Sequence, residues 1–178
     1  MTVTAVVVSH ANENGLRAIL DNLLRQTRPP DEIIALCSDT DLDGVRDDYP
    51  EVTFRGCENR NDWGHAKRAE GLDLASSDWV GFFNDDDSYA DTYLETMLER
   101  AMAEEAGVVY CAWNDQAHCR FIAYQSTAGN FLCRTELGQR VGWHGRHYEA
   151  DGAFIDGLVG SGVLVVRVDK VLYYHNVQ

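Results

Sequence analysis

A chain of 178 residues, 45% hydrophobic and 25% charged, has the size and balance of one globular domain rather than of a disordered or fibrous protein. Its formal net charge of -14 argues against nonspecific attraction to nucleic acid or anionic lipid, which rests on lysine and arginine neutralising phosphates. No apolar run reaches the roughly 18 residues that cross a bilayer, and Met1-Thr2-Val3-Thr4 carries neither a basic flank nor a cleavage signature, so a soluble, cytoplasmic chain without a transmembrane segment is expected.

In chain order, Val3 to Val8 is a run dominated by β-branched residues, as in a strand buried on both faces of a parallel sheet. Leu16, Ile19, Leu20, Leu23 and Leu24 then mark one stripe of a helix, stopped by Pro29-Pro30. Glu32 to Leu36 reads as a second strand, Val52 to Arg55 as a weaker third, Gly64 to Ala75 as a helix and Trp79 to Phe83 as a fourth strand. Ser88 with Asp91 reads as a helix start, with Tyr93, Met97, Leu98 and Ala101 on the buried face of a helix ending near Gly107. Val108 to Trp113 is a strand, Phe121 to Tyr124 and Phe131 to Cys133 are short strands, and Gly152 to Leu158 is a helix. Val163 to Val168 and Val171 to Tyr174 are two late strands. Alternating strands and helices predict one α/β domain over residues 1–178, with a mostly parallel sheet flanked by helices.

The five cysteines (Cys37, Cys57, Cys111, Cys119 and Cys133) form no Cys-x-x-Cys pair, and their odd count suits reduced thiols, most of them small core residues. The stretch Trp79 to Asp87 ends an apolar run in three adjacent carboxylates, Asp85, Asp86 and Asp87. Acids delivered to the carboxyl end of a strand can hold a divalent metal against a phosphate, or form a solvated acidic turn. Asn12 and Asp39 are open to two readings as well, as turn caps or as ligand contacts. Trp113, Trp143 and Tyr148 either stack on a sugar or fill the core, the core being the better reading, and Trp143-His144-Gly145-Arg146-His147-Tyr148 is a candidate acceptor loop.

Several short motifs share an order with a known group. They are His10-Ala11-Asn12, then Gln26-Thr27 before Pro30-Asp31-Glu32-Ile33-Ile34, then Cys37-Ser38-Asp39. Gly64 to Gly71, with Arg68 inside it, is followed by Asn84-Asp85-Asp86-Asp87, framed by Tyr93-Leu94-Glu95. Gly129 to Arg134, Glu149-Ala150-Asp151 ahead of Gly162, and Tyr173-Tyr174-His175-Asn176 complete the series. In this order the chain resembles the GT-A (Rossmann-like) glycosyltransferases, and within them the inverting family-2 group. The likeness runs over nearly the whole chain. It departs from the family pattern at Cys37-Ser38 for an aspartate pair, Ala69 for an asparagine, Asn84 for the first acid, and Ala150 inserted between the acids of a Glu-Asp pair.

The resemblance implies donor contacts from Asn12, Asp39, Arg68 and Asp85, with Asp85 towards the ribose. It implies a metal, Mn2+ or Mg2+, on Asp86 first, with Asp87 and His175, and a catalytic base in Asp151 with Glu149 and Asp156 as rivals. The implied reaction is metal-dependent inverting transfer of a sugar from a nucleotide-sugar donor, foremost a UDP-sugar, to an acceptor hydroxyl. The acceptor is left open among a saccharide, a lipid-linked sugar, a protein side chain and a hydroxylated nucleobase. Two alternatives stand beside it. One is a catalytically silent sugar-nucleotide or carbohydrate-binding module. The other is a nucleotidyltransferase, which calls for a basic, glycine-rich triphosphate loop where Ser9 to Gly15 holds no Lys or Arg.

Overall fold

A computed structural model describes residues 1–114 and 116–176. Its centre is an eight-stranded sheet in the order β3-β2-β1-β4-β7-β6-β8-β5. The strands are β1 (Val3–His10), β2 (Glu32–Ser38), β3 (Thr53–Gly56), β4 (Trp79–Asn84), β5 (Ser88–Tyr89), β6 (Val108–Trp113), β7 (Phe131–Arg134) and β8 (Val165–Tyr174). The helices are α1 (Glu13–Leu24), α2 (Asp43–Asp48), α3 (His65–Leu74), α4 (Tyr93–Ala103), α5 (Thr135–Val141) and α6 (Ala150–Gly160).

Four of the seven strand pairings are parallel, and the antiparallel ones are those of β7 with β4 and β6 and of β5 with β8. Because β7 is antiparallel to both its neighbours, β6 and β8 run in the same sense as β1, β2 and β4. His10, Ser38, Asn84, Trp113 and Tyr174 therefore finish their strands at one edge of the sheet. In open α/β sheets that edge is where ligands bind.

The apolar patterns explain the layers. Val3, Ala5, Val6 and Val7 are fully buried at the sheet centre, and so are Leu16, Ile19, Leu20 and Leu23 on the inner stripe of α1. Trp79, Phe82 and Phe83 fill the core under β4. All five cysteines are free, four of them buried, and burial pushes the Cys37, Cys111 and Cys133 thiols up to about 12.

Several local expectations are corrected. Ser88 does not start a helix: Ser88–Tyr89 pairs with Tyr174 and Tyr173 of β8, and α4 begins at Tyr93. Phe121 to Tyr124 is not a strand, since Phe121 buries its ring against Phe131 and Tyr110 while the backbone turns. The two late strands are one, β8, whose pairing with β6 shifts register between Cys111 and Trp113. Helix α1 ends at Leu24, before the proline pair. Helices α2 and α5 are too short to show a periodic stripe and were not anticipated.

Candidate active site

Two cavities open at the carboxyl edge of the sheet. The first, about 670 Å³, is lined by Ser9 and His10 after β1, by Asn59 to Gly64 ahead of α3, and by Asp85 and Asp86 after β4. The second, about 590 Å³, is lined by Glu149, Asp151 and Asp156 around α6, by Trp113, and by the segment near Tyr124 to Ala128. Trp63, Arg68, Asn84, Tyr148 and His175 line both, so the two cavities meet at those residues.

Two glycines let the walls come this close. A Cβ at Gly64, whose φ is 79°, would stand 2.6 Å from Cγ1 of Val8 on the neighbouring strand. A Cβ at Gly15, in the first turn of α1, would collide with the backbone carbonyl of Asp85. Helix α1 can therefore press its start onto the acidic turn only with glycine there.

Arg68 holds the junction. Its guanidinium is buried, donating from Nη1 to the Trp63 carbonyl at 2.7 Å and from Nη2 to Oδ1 of Asn84 at 2.5 Å. Nδ2 of Asn84 donates in turn to Oδ2 of Asp87 at 2.7 Å. The residue that departs from the expected acid thus bridges an arginine and an aspartate.

The three acids of the turn have different surroundings. Asp85 accepts from the Ser9 hydroxyl at 2.8 Å and from the His10 amide at 3.3 Å, and burial raises its pKa. Asp86 faces the first cavity, its pKa raised by burial and then by Asp87 and Asp85 beside it. Asp87 lines neither cavity. It is 0% exposed and accepts from Asn84, from the Tyr173 hydroxyl at 3.0 Å, from the Asn176 amide at 3.1 Å and from Nδ1 of His175 at 2.9 Å. Expected as a metal ligand, Asp87 has its carboxylate turned into the protein, where it orients His175.

This network fixes the imidazole. Nδ1 of His175 stands 2.9 Å from both the Tyr173 hydroxyl and Oδ1 of Asp87; with the proton on Nδ1, the ring would present the lone pair of Nε2, which lies 3.0 Å from Nδ2 of Asn176. A carboxylate behind a histidine that lines a cavity is an arrangement that can prepare an imidazole to ligate a metal. Among the described residues no group of three or more His, Cys, Asp or Glu forms a closed metal cluster. Of the carboxylates and imidazoles lining the first cavity, Asp86 and His175 make a donor pair that fits a cation whose remaining ligands come from a bound phosphate and water.

Other expected residues lie apart. Asn12 caps α1, accepting from the Gly15 amide at 3.0 Å, and donates to the Asp85 carbonyl at 3.3 Å, so it braces the acidic turn from outside the cavities. Asp39, with φ of 56°, is exposed after β2 and sits 3.3 Å from Nδ1 of His10. It lines neither cavity. On the other side of Arg68, Asp151 lies in the first turn of α6 with its pKa raised by burial, and Oδ1 accepts from the Gly152 amide at 2.8 Å. Trp113 and Trp143 are buried as expected, whereas Tyr148 is exposed at the rim.

Two residues were missed. Lys67 is buried on α3 and donates to the Ser9 carbonyl at 2.7 Å and the Ser38 hydroxyl at 2.6 Å, tying β1 to β2. Its position between Ala66 and Arg68 gave no signal beyond a lone charge. Trp63, exposed and shared by both cavities, stood in a polar loop where an isolated aromatic was its only mark.

Residues 4–155 match glycosyl transferase family 2. The chain belongs to that family. No curated protein matches its sequence. Solved structures share its fold. The S. aureus TarS fragment 1–349 superposes with a TM-score of 0.81 at 16% identity, over 99% of this chain and 60% of that one. The same TarS fragment is known in complex with UDP and with UDP-GlcNAc. The mannosyltransferase PcManGT from Pyrobaculum calidifontis, in complex with GDP-Man and Mn2+, gives 0.79 at 19% identity, over 99% of this chain and 57% of that one. Glucosyl-3-phosphoglycerate synthase from Mycobacterium tuberculosis, with Mn2+, UDP and phosphoglyceric acid, gives 0.74 at 15% identity, over 99% and 71%. These family-2 relatives establish the GT-A fold, and the chain spans about 60% of the TarS fragment and of the mannosyltransferase. Among the described residues no helix is long and apolar enough to cross a membrane.

Proposed function

We propose that this chain is a metal-dependent inverting glycosyltransferase that moves a sugar from a nucleotide-sugar donor, a UDP-sugar foremost, to an acceptor hydroxyl. The observation that carries this reading is the meeting of two cavities at Arg68, Asn84 and His175, with Asp86 on one side and Asp151 on the other.

In this reading the donor lies in the first cavity. Asp85, held by Ser9 and His10, is turned towards the ribose, and Arg68 lies at the junction where the diphosphate ends. Asn12 and Asp39 support the nucleotide end indirectly, one bracing the acidic turn and the other beside His10. Asp86 and His175 hold Mn2+ or Mg2+, which when bound neutralises charge on the diphosphate as it leaves. Asp87 sets the tautomer and direction of His175.

The acceptor enters the second cavity and meets the donor at the junction. Asp151 takes the proton of the attacking hydroxyl. Burial raises its proton affinity, which suits a general base, and such a base contributes typically 10²–10⁴-fold. Glu149 and Asp156 line the same cavity as rivals. Attack from this side is opposite the diphosphate and inverts the anomeric carbon. The five free cysteines accord with a reducing compartment, and we place the chain in the cytoplasm.

The test is release of nucleoside diphosphate from a panel of nucleotide sugars with Mn2+ and with Mg2+. Asp151→Asn should lower turnover about 10²-fold or more while donor affinity by calorimetry is kept. Turnover unchanged in that variant would remove Asp151 as the base. Donor binding without turnover in the unaltered chain would point to a silent binding module.

A further inference from the structure

The second cavity carries a signature of what it receives. Among the described residues four large aromatics are exposed, Trp63, Tyr124, Tyr148 and Tyr174. Three of them, Trp63 at 60%, Tyr124 at 77% and Tyr148 at 72%, line this cavity, Trp63 and Tyr148 where it meets the first. Exposed rings gathered at one opening mark a binding surface, because single scattered ones would have no reason to converge.

The rings are also held in place. Trp63 and Tyr148 stand 5.6 Å apart at an interplanar angle of 77°, so they form a corner of two aromatic walls. Trp63 and Tyr124 both have positive φ, 53° and 71°, a conformation that bulky side chains seldom adopt unless the surroundings impose it. The surroundings do so here. The buried Arg68 guanidinium grips the Trp63 carbonyl, and the turn bearing Tyr124 is closed by bonds from Ser126 to the Arg120 carbonyl and from the Arg120 amide to Gln125. The corner exists before any ligand arrives, so little order is lost on binding.

Charge narrows the occupant. Glu149, Asp151 and Asp156 line the cavity, and Arg68, with both terminal nitrogens engaged, is the sole Lys or Arg among its described lining residues. The chain as a whole carries a formal charge of -14. A phosphorylated, sulfated or carboxylated acceptor would bring like charge to three carboxylates. A lipid tail would leave those carboxylates desolvated and unpaired.

We infer that the acceptor is an uncharged saccharide whose pyranose face stacks on the Trp63–Tyr148 corner and on Tyr124. The apolar C–H face of a sugar carries slight positive charge and suits the electron-rich face of an aromatic ring. Its hydroxyls meet the polar wall of Ser126, Thr127 and the carboxylates. This rests on the proposed transferase reading for the word acceptor, while saccharide binding itself can be measured without turnover.

The experiment is a glycan array bearing neutral, sialylated, sulfated and phosphorylated glycans, probed with the labelled chain in the presence of UDP and Mn2+. Neutral glycans should dominate the bound set, and the strongest binder, retitrated by calorimetry, should lose about tenfold or more in affinity in Tyr124→Ala and Tyr148→Ala. Tyr124→Phe should restore most of it, whereas UDP affinity should stay constant in both Tyr124 variants, since Tyr124 lines only the second cavity. Charged glycans dominating, no glycan bound while UDP binds, or full affinity in both alanine variants would overturn the inference. Neutral glycans bound without any nucleotide affinity would leave it standing and remove the transferase reading instead.

Discussion

Asn84 donates from Nδ2 to Oδ2 of Asp87 at 2.7 Å while its Oδ1 accepts from Nη2 of Arg68, so one neutral amide separates a buried acid from a buried base. A carboxylate in its place would keep the bond to Arg68 and lose the donor to Asp87. Two acids would then share one side of a site with a single guanidinium.

Asn84→Asp is therefore expected to lower stability by roughly 1–3 kcal/mol near neutral pH. The sign with pH follows from the like charge of Asp87 beside the new acid, which the bond to Arg68 offsets in part. The charged form of the new acid is disfavoured only in the folded state, so the penalty is present above the folded pKa and vanishes below the unfolded value. Urea midpoints measured near neutrality and below the ordinary carboxylate range should diverge and then converge. A constant difference across pH would refute the like-charge account.

The adjacent acids Asp86 and Asp87 should separate in the opposite sense. Asp87→Ala removes the carboxylate that accepts from the Asn84 amide, the Tyr173 hydroxyl, the Asn176 amide and Nδ1 of His175, and should cost about 3 kcal/mol or more in urea unfolding. Asp86→Ala faces a cavity and should change stability by no more than about 0.5 kcal/mol, while abolishing the Mn2+-dependent part of donor binding in calorimetry. Equal stability losses in the two would contradict the division of roles.

How far the sequence revealed this site depends on whether a residue acts through periodicity or through distant partners. The apolar runs of β1, β4 and β6 and the stripe of α1 are set by burial, and burial leaves a pattern in the chain. The shared edge of Asn84, Trp113 and Tyr174 depends on β7 lying antiparallel between β4 and β6, a pairing of residues more than 20 apart that no local signal encodes. The role of Asn84 is hidden for the same reason. Its partner Arg68 is 16 residues away, and read locally the amide is only a missing acid. Tyr148 was assigned to the core by its aromatic character, although its short polar neighbourhood was the better guide.

Asp151 supplies a pH dependence. Burial raises its pKa above the ordinary carboxylate value, and the charge of Arg68 offsets that only in part. A base works deprotonated, so activity should be full above the folded pKa and fall as pH drops through it. The acid limb of kcat/KM should thus lie higher than an exposed aspartate would give. Moving positive charge away with Arg68→Gln should shift that limb further up, whereas a limb that stays put would detach Asp151 from the rate.

His65 offers a test of the core beneath the second cavity. Its Nδ1 accepts from Nε1 of Trp143 at 3.2 Å, the two rings stack with centroids 5.9 Å apart, and burial together with the Arg68 charge lowers its pKa to about 4. The unfolded histidine takes up its proton near pH 6.5, well before the folded one. The stability linked to the neutral ring is fully present above pH 6.5 and is lost as pH falls towards 4, by up to roughly 3 kcal/mol. His65→Gln removes the titration and should lower stability near neutrality, because the stacked ring is lost, yet flatten the acid limb in that window. Urea midpoints of both proteins at about pH 7.5 and about pH 4.5 measure the difference directly. Parallel limbs would mean that His65 titrates alike in the folded and unfolded chain, and that burial does not hold its ring neutral.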